Sequence, residues 1–78
     1  MAPEEFDDII DLSGLLCPLP VLKTRKKLST MRHGSVLKVL ATDPVAAIDM
    51  PHFCTEQGYQ LLSSTKAGEV LEFRIKCK

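Results

Sequence analysis

The sequence predicts an α/β (α+β) fold: a two-layer sandwich in the order β-α-β-α-β-β, with two helices on one face of a four-stranded mixed sheet. Its 78 residues are enough for one domain. Four short segments are apolar or alternate apolar and polar residues, as strands do, and two others repeat apolar residues every three or four positions, as helices do. Prolines and glycines stand between these segments, where turns and helix ends are expected.

The first three elements follow from these patterns. Residues 8–12 are apolar with flanking acids and are predicted as a strand, and residues 18–32 repeat apolar side chains at helical spacing. Gly34 stands where a left-handed residue ends a helix. Residues 36–42 alternate as a strand, and the right-handed crossover preference makes this strand parallel to the first.

The second helix is predicted to begin with Asp43 as N-cap and Pro44 in the first helical position, and to end at Gly58. Pro51 lies inside this segment. Because proline lacks the amide hydrogen that a helix interior uses, we expect a kink there or a restart capped by Asp49.

Two strands complete the predicted sheet. Residues 59–65 and 70–77 are predicted to form an antiparallel hairpin, joined by a turn over residues 66–69. No linker or repeat divides the sequence. Residues 1–78 are therefore expected to form a single domain, with residues 1–7 as a flexible tail.

The composition narrows the classes of function. Ten basic and ten acidic residues give a formal net charge of zero, which argues against a nucleic-acid binder that relies on bulk positive charge. Neither a secretory signal nor an apolar run long enough to span a bilayer is visible. Three cysteines are too few, and odd in number, for a disulfide framework. We expect a cytoplasmic protein with no membrane association.

Cys17 is the residue that fold building explains least. It precedes the first predicted helix, whose N-terminus favours an anion, so we expect the pKa of its thiol to lie moderately below the ordinary value. Pro18 and Pro20 fix the backbone and remove two amide donors, while Leu16 and Leu19 make the surroundings apolar and oppose ionisation. The alternative is a buried cysteine that serves as a small core residue.

The segment around this cysteine resembles a known family. Residues 11–20 are similar to the N-terminal signature of the TusA/SirA sulfur-carrier family, whose hallmark is a Cys-Pro-x-Pro motif at the start of the first helix. Residues 43–44, 49–51 and 53–54 continue the similarity, which covers nearly the whole chain from about residue 8. The resemblance implies the same two-layer sandwich.

The resemblance also implies a function. Cys17 would accept a persulfide sulfur from a donor such as a cysteine desulfurase or rhodanese-like protein and relay it to a cysteine of an acceptor protein, for tRNA thiolation or other sulfur metabolism. The supporting motif would comprise Gly14, Pro18, Pro20 and Asp43, although capping the helix is by itself a sufficient role for Asp43. We expect a monomeric carrier rather than a turnover enzyme, with no cofactor and no metal.

Half of the basic residues lie close together on the first helix, while half of the acids lie within residues 4–11. These basic residues are Lys23, Arg25, Lys26, Lys27 and Arg32. They could form a solvated helix face, a docking surface for acidic partner proteins beside Cys17, or an RNA contact. The alternative function is thus a small RNA-binding module with Cys17 packed inside. No aromatic residues interleave with the cations, so direct nucleic-acid binding is not expected.

The remaining cysteines and histidines offer weaker alternatives. Cys54 could form a disulfide with Cys17, but its amphipathic segment predicts a core position. Cys77 is expected to be exposed at a frayed chain end. The sequence has no Cys-x-x-Cys or paired-histidine spacing, so no zinc site is predicted.

Overall fold

The computed structural model describes residues 6–78 and has the predicted two-layer architecture. Its elements are β1 (Asp8–Leu12), α1 (Leu19–Leu28), β2 (Val36–Ala41), α2 (Ala46–Gln57), β3 (Gln60–Ala67) and β4 (Val70–Lys76). Helix α1 packs on β1 and β2, and α2 packs on β3 and β4. The predicted element order and fold class are confirmed.

The sheet has the strand order β1-β2-β4-β3, with β1 parallel to β2 and the other pairs antiparallel. Strands β2 and β4 are therefore central. Leu37 and Val39 of β2 pair with Ile75 and Phe73 of β4, and all four side chains are buried on the face that the helices cover. The alternation of these strands sets which face becomes the core.

The helices complete this core and thereby fix the loops that precede them. Leu28 of α1 and Met50 and Phe53 of α2 are buried against the sheet, and each such side chain contributes about 1.5–3 kcal/mol when it leaves water. Leu12 and Ala41 are partners at the ends of the parallel strands β1 and β2. The loops that lead into α1 and α2 therefore leave the sheet side by side.

Helix α1 is shorter than the sequence predicts, because it ends at Leu28 rather than near residue 32. The hydroxyl groups of Ser29 and Thr30 donate to the carbonyls of Lys26 and Lys27, which is a common way for such residues to end a helix. The chain then turns toward β2. Gly34 has the expected positive φ of 85°, but it lies in this later turn and not at the helix end.

Helix α2 is continuous through Pro51, so the predicted restart at Asp49 is wrong. Proline costs one hydrogen bond, whereas the helix keeps Met50 and Phe53 buried on one face, and this burial favours an unbroken helix. Gly58 ends the helix in the left-handed conformation with φ of 77°, as predicted.

Asp7 and Cys77, near the two ends of the described residues, differ from expectation. Of the predicted flexible tail, residues 1–5 lie outside the described residues. Asp7 is held, because its N–H donates to the Val36 carbonyl and its carboxylate accepts from the Val36 N–H, both at 2.8 Å. At the other end, Cys77 is buried and not exposed as predicted, because its backbone pairs with Ser35 and Gly34.

Candidate functional site

Cys17 lies in the loop of residues 13–18 between β1 and α1 and is exposed. Because β1 and β2 are parallel and end together at Leu12 and Ala41, this loop is the neighbour of residues 42–45, which lead into α2. The site is therefore built where two βα connections meet at one end of the sheet.

Two side chains of the second connection hold the Cys17 loop by its backbone. The Gly14 N–H donates to Thr42 Oγ1 at 2.8 Å, and the Cys17 N–H donates to Asp43 Oδ2 at 2.7 Å. Asp43 Oδ1 accepts from the Val45 N–H at 3.1 Å. The Asp43 side chain, only 5% exposed, thus holds the turn before α2 and the backbone of Cys17 at the same time. Because the chain first makes this turn, α2 begins at Ala46 with Val45 as its N-cap, so the predicted start with Asp43 as N-cap and Pro44 in the first helical position is wrong.

The thiol of Cys17 faces a second carboxylate. Cys17 Sγ donates a hydrogen bond to Asp49 Oδ2 at 3.2 Å. This bond, followed by desolvation and the negative charges of Asp49 and Asp43, raises the pKa of the Cys17 thiol above its ordinary value. The free protein therefore holds this sulfur mainly as the protonated thiol at neutral pH.

The predicted lowering of the Cys17 pKa is thus wrong, for a local reason. Helix α1 begins at Leu19, two residues after the cysteine, and the Leu19 N–H already donates to the Leu16 carbonyl at 2.9 Å. The prolines at positions 18 and 20 have no N–H to offer. The start of the helix therefore presents few free N–H donors to a thiolate. The effect of the nearby carboxylates, which raises the pKa of Cys17, is the larger one.

The two prolines of the motif lie in different surroundings. Pro18 is exposed at the N-cap of α1, and the Cys17–Pro18 peptide bond is cis. Pro20 is one of the fully buried side chains. Pro20 therefore contributes to the packing of α1 as well as to the backbone shape of the motif.

The five basic residues predicted as one docking surface do not share one face. Arg25 lines the cleft between α1 and α2, close to Pro18. The three lysines at positions 23, 26 and 27 lie together above Ile10 of β1, and Lys27 pairs with Asp8 at 2.6 Å. Arg32 follows the end of α1, a helix about 15 Å long by its rise per residue. Of the five, Arg25 is the one that lines the same cleft as Pro18 of the Cys17 loop.

A cleft of about 290 Å³ runs between the two helices and reaches the site. It is lined by Pro18, Val21, Leu22 and Arg25 from the α1 side and by Asp49, His52, Phe53, Glu56 and Gln57 from α2. Asp49 belongs both to this cleft and to the contact with Cys17. Leu22, which lines the cleft, is 51% exposed, while Leu16, next to Cys17 in the chain, is 67% exposed and Ile48, next to Asp49, is 74% exposed. Such exposed apolar groups are typical of interaction surfaces.

The other two thiols are in the core. Cys54 of α2 is 2% exposed, as predicted, and burial raises its pKa to about 11. Cys77 is 6% exposed, and its Sγ lies 3.4 Å from the Leu28 carbonyl. Neither thiol is presented to solvent as that of Cys17 is.

Within residues 6–78, no three histidine, cysteine, aspartate or glutamate side chains gather as metal ligands. No helix of this described part of the chain is both long and apolar enough to cross a membrane.

Thr42 and Asp49 are the contacts of the Cys17 loop that the sequence did not reveal as part of the site. The sequence places Thr42 only at the end of a strand, and Asp49 only as a possible helix cap and as one of the residues that continue the family resemblance. The available signal is the position of Asp49, six residues after Asp43. An acid near the start of α2 lies at the same end of the sheet as Cys17. Only the packing of α2 shows which side chain reaches the sulfur.

Comparison with known proteins shows the family of the chain. A family model described as Sulfurtransferase TusA matches residues 8–77. The chain is 43% identical to the Sulfur carrier protein TusA of Allochromatium vinosum, over 92% of this chain and 95% of that protein. It is 36% identical to the Putative sulfur carrier protein YrkI of Bacillus subtilis, over 90% and 93% of the two chains.

A solved structure has the same fold. The crystal structure of a SirA-like protein from Desulfitobacterium hafniense superposes with a TM-score of 0.79 and 28% sequence identity, over 90% of this chain and 96% of that one. The fold, the Cys-Pro-x-Pro loop and the match over residues 8–77 together identify the chain as a member of the TusA sulfurtransferase family.

Proposed function

We propose that this protein is a sulfur carrier that holds a persulfide on Cys17. The observation that carries the proposal is the contrast among its three thiols: Cys17 is exposed on a loop fixed by Asp43, whereas Cys54 and Cys77 are buried. The relatives are named as sulfur carriers, which supports the same role here. A carrier needs a sulfur that partners can reach and that returns to one position after each transfer.

The transfer is a sulfur exchange between thiols. The Cys17 sulfur attacks the outer sulfur of a donor persulfide, a new S–S bond forms on Cys17, and the S–S bond of the donor breaks. The donor leaves as a thiolate and takes up the proton that Cys17 lost. Reversing the roles passes the outer sulfur to an acceptor cysteine. The exchange needs no external oxidant, because each S–S bond broken is replaced by one formed.

The proposed partners are a donor such as a cysteine desulfurase or rhodanese-like protein and an acceptor protein with its own cysteine. Leu22 and Arg25 line the cleft that Asp49 shares with the Cys17 contact, and the exposed Leu16 and Ile48 are the chain neighbours of Cys17 and Asp49, so we expect partners to cover these residues. We further propose that the carrier acts in the cytoplasm, in tRNA thiolation or another sulfur pathway.

The lysines above Ile10 and the distant Arg32 are less suited to contact a partner seated on Cys17. Their separation from Arg25 also weakens the RNA-binding alternative, because RNA contact by the whole basic set would require one continuous surface. A charge reversal at Arg25 is expected to slow sulfur transfer about tenfold, and the same reversal at Arg32 is expected to leave the rate within about twofold.

The proposal is tested by loading the protein from a cysteine desulfurase and free cysteine and measuring its intact mass. The wild type is expected to gain one sulfur atom, which a reductant removes. Cys17→Ala is expected to gain none, and the matched variant Cys54→Ala is expected to load like the wild type. Equal loading of wild type and Cys17→Ala would contradict the proposal.

A further inference from the structure

Asp49 is a carboxylate beside the reactive sulfur that forms no ion pair with the described residues 6–78. Asp8 pairs with Lys27 and Glu72 pairs with Lys38, both across elements of the fold. Among residues 6–78, by contrast, no lysine, arginine or histidine lies within ion-pairing distance of Asp49. Its contact is instead the Cys17 thiol, at 3.2 Å.

We propose that Asp49 makes Cys17 selective for partners that bring a positive charge to the thiol. In the free protein the Asp49 carboxylate holds the thiol hydrogen. A lysine or arginine that a partner places against Asp49 takes over the carboxylate and frees the sulfur to react. The partner assignment rests on the proposed sulfur-carrier function, whereas the effect of Asp49 on thiol chemistry does not.

The charged groups around Cys17 leave this role to Asp49. From the loop before α2, Asp43 is also acidic, but its two oxygens are occupied by backbone N–H groups and it is buried. From α1, Arg25 lines the cleft but forms no ion pair with Asp49. From α2, His52 and Glu56 also line the cleft, and they contact each other. Asp49 is the charged side chain in contact with the sulfur itself.

The chemistry of sulfur exchange explains why neutralising Asp49 changes the rate at which Cys17 reacts. Thiolate is the attacking species in sulfur exchange, and a carboxylate next to it disfavours that anion. The same carboxylate disfavours Cys17 as a leaving thiolate when the acceptor removes the sulfur. A cation on the partner offsets the cost of forming the Cys17 thiolate in both steps while the partner is bound. When the partner leaves, the Asp49 carboxylate again disfavours the thiolate. The unloaded carrier is then protected from unwanted reactions of its thiol between encounters.

Small charged disulfides test this proposal with the carrier alone. The rate of mixed-disulfide formation at Cys17 is measured with a cationic disulfide (cystamine), a neutral one (2-hydroxyethyl disulfide) and an anionic one (dithiodiglycolate). Wild type is expected to react about tenfold faster with the cationic than with the anionic probe at low salt. In Asp49→Asn this ratio is expected to fall to about threefold or less, while the neutral probe reacts about tenfold faster than with wild type.

A matched variant separates contact from net charge. Glu56→Gln removes one negative charge from the same helix without touching Cys17, and it is expected to keep most of the wild-type ratio. Should Asp49→Asn fail to fold, the ratio in the wild type is measured at rising salt, where the expected result is a decrease toward one. The proposal is overturned by equal ratios in wild type and Asp49→Asn, by an equal fall in Glu56→Gln, or by a salt-independent ratio. Because these probes carry no persulfide, such a result would leave the sulfur-carrier function standing.

Discussion

Cys17 and Cys54 both contact or belong to α2, and the pKa of both thiols is raised, yet for different reasons. The leading cause at Cys17 is the hydrogen bond to the Asp49 carboxylate, whereas the cause at Cys54 is burial. A partner that carries a cation can neutralise a carboxylate at the surface. Burial can be relieved only by opening the fold. The reactivity of the two thiols is therefore low for different reasons. That of Cys17 can be restored by a partner that contacts Asp49, whereas that of Cys54 is fixed by its place in the core.

The largest expected effect is the difference in labelling between these two thiols. With iodoacetamide at pH 7.5 and no denaturant, Cys17 is expected to react at least about 100-fold faster than Cys54, because Cys54 must wait for local opening. Peptide mass mapping over time gives both rates in one sample. Similar labelling rates at the two positions would contradict the claim that burial separates Cys54 from Cys17.

Burial of Cys54 also predicts how stability depends on alkaline pH. The unfolded thiol ionises near pH 8.5, whereas the folded one keeps its proton up to about 11, so the native state binds more protons between these values. The contribution of this buried thiol to the free energy of unfolding is therefore complete below pH 8.5. It falls by about 2–3 kcal/mol as the pH rises toward 11. Urea unfolding from pH 7.5 to 10.5 measures the loss.

Cys54→Ala is the control for this dependence. The variant is expected to be less stable at pH 7.5 because of the cavity, but to lose less stability on going to pH 10.5 than the wild type does. Parallel stability curves for the two proteins would show that burial of Cys54 is not the cause.

Of the two carboxylates near Cys17, Asp43 is expected to affect mainly the stability of the fold and Asp49 mainly the reactivity of the thiol. Asp43→Ala removes the acceptor for two N–H groups and is expected to cost about 1–2 kcal/mol in urea unfolding. Asp49→Asn keeps an acceptor oxygen at an exposed bond and is expected to cost less than about 0.5 kcal/mol. A larger stability loss for Asp49→Asn than for Asp43→Ala would reverse the roles assigned to them.

A last prediction concerns the glycine that shapes the Cys17 loop. Gly14 has a φ of 85°, and Gly14→Ala is expected to cost about 1 kcal/mol because a side chain disfavours that conformation. Gly68, with a φ of 64° in the β3–β4 turn, is the matched control with a similar cost. Iodoacetamide labelling of Cys17 is expected to change only in Gly14→Ala. An equal change in Gly68→Ala would mean that stability, and not the loop, controls the thiol.

The fold was predictable because its signals are local. Alternation in residues 36–42 and 70–77, helical spacing after Cys17 and the glycine at position 58 each specify an element or its end without reference to distant residues. The parallel pairing of β1 and β2 then follows from the handedness of the crossover. The position of Cys17 just before the first helix was also predictable, from a motif contained in four consecutive residues.

The electrostatics of the site were not predictable in the same way. The direction of the Cys17 pKa depends on Asp49, which lies 32 residues away and reaches the sulfur only after α2 packs on the sheet. The burial of Cys77 likewise depends on backbone pairing with Ser35, and the division of the basic residues depends on how α1 rotates over β1. Each of these is a contact between elements, which sequence spacing does not encode.

The most direct test of the account is to find where the sulfur is carried. After loading from a cysteine desulfurase, the protein is alkylated and digested, and the added sulfur is located by peptide mass mapping. We predict that the extra sulfur lies on the peptide that contains Cys17 and is absent from those that contain Cys54 and Cys77. Sulfur on either buried cysteine, with Cys17 unmodified, would contradict it.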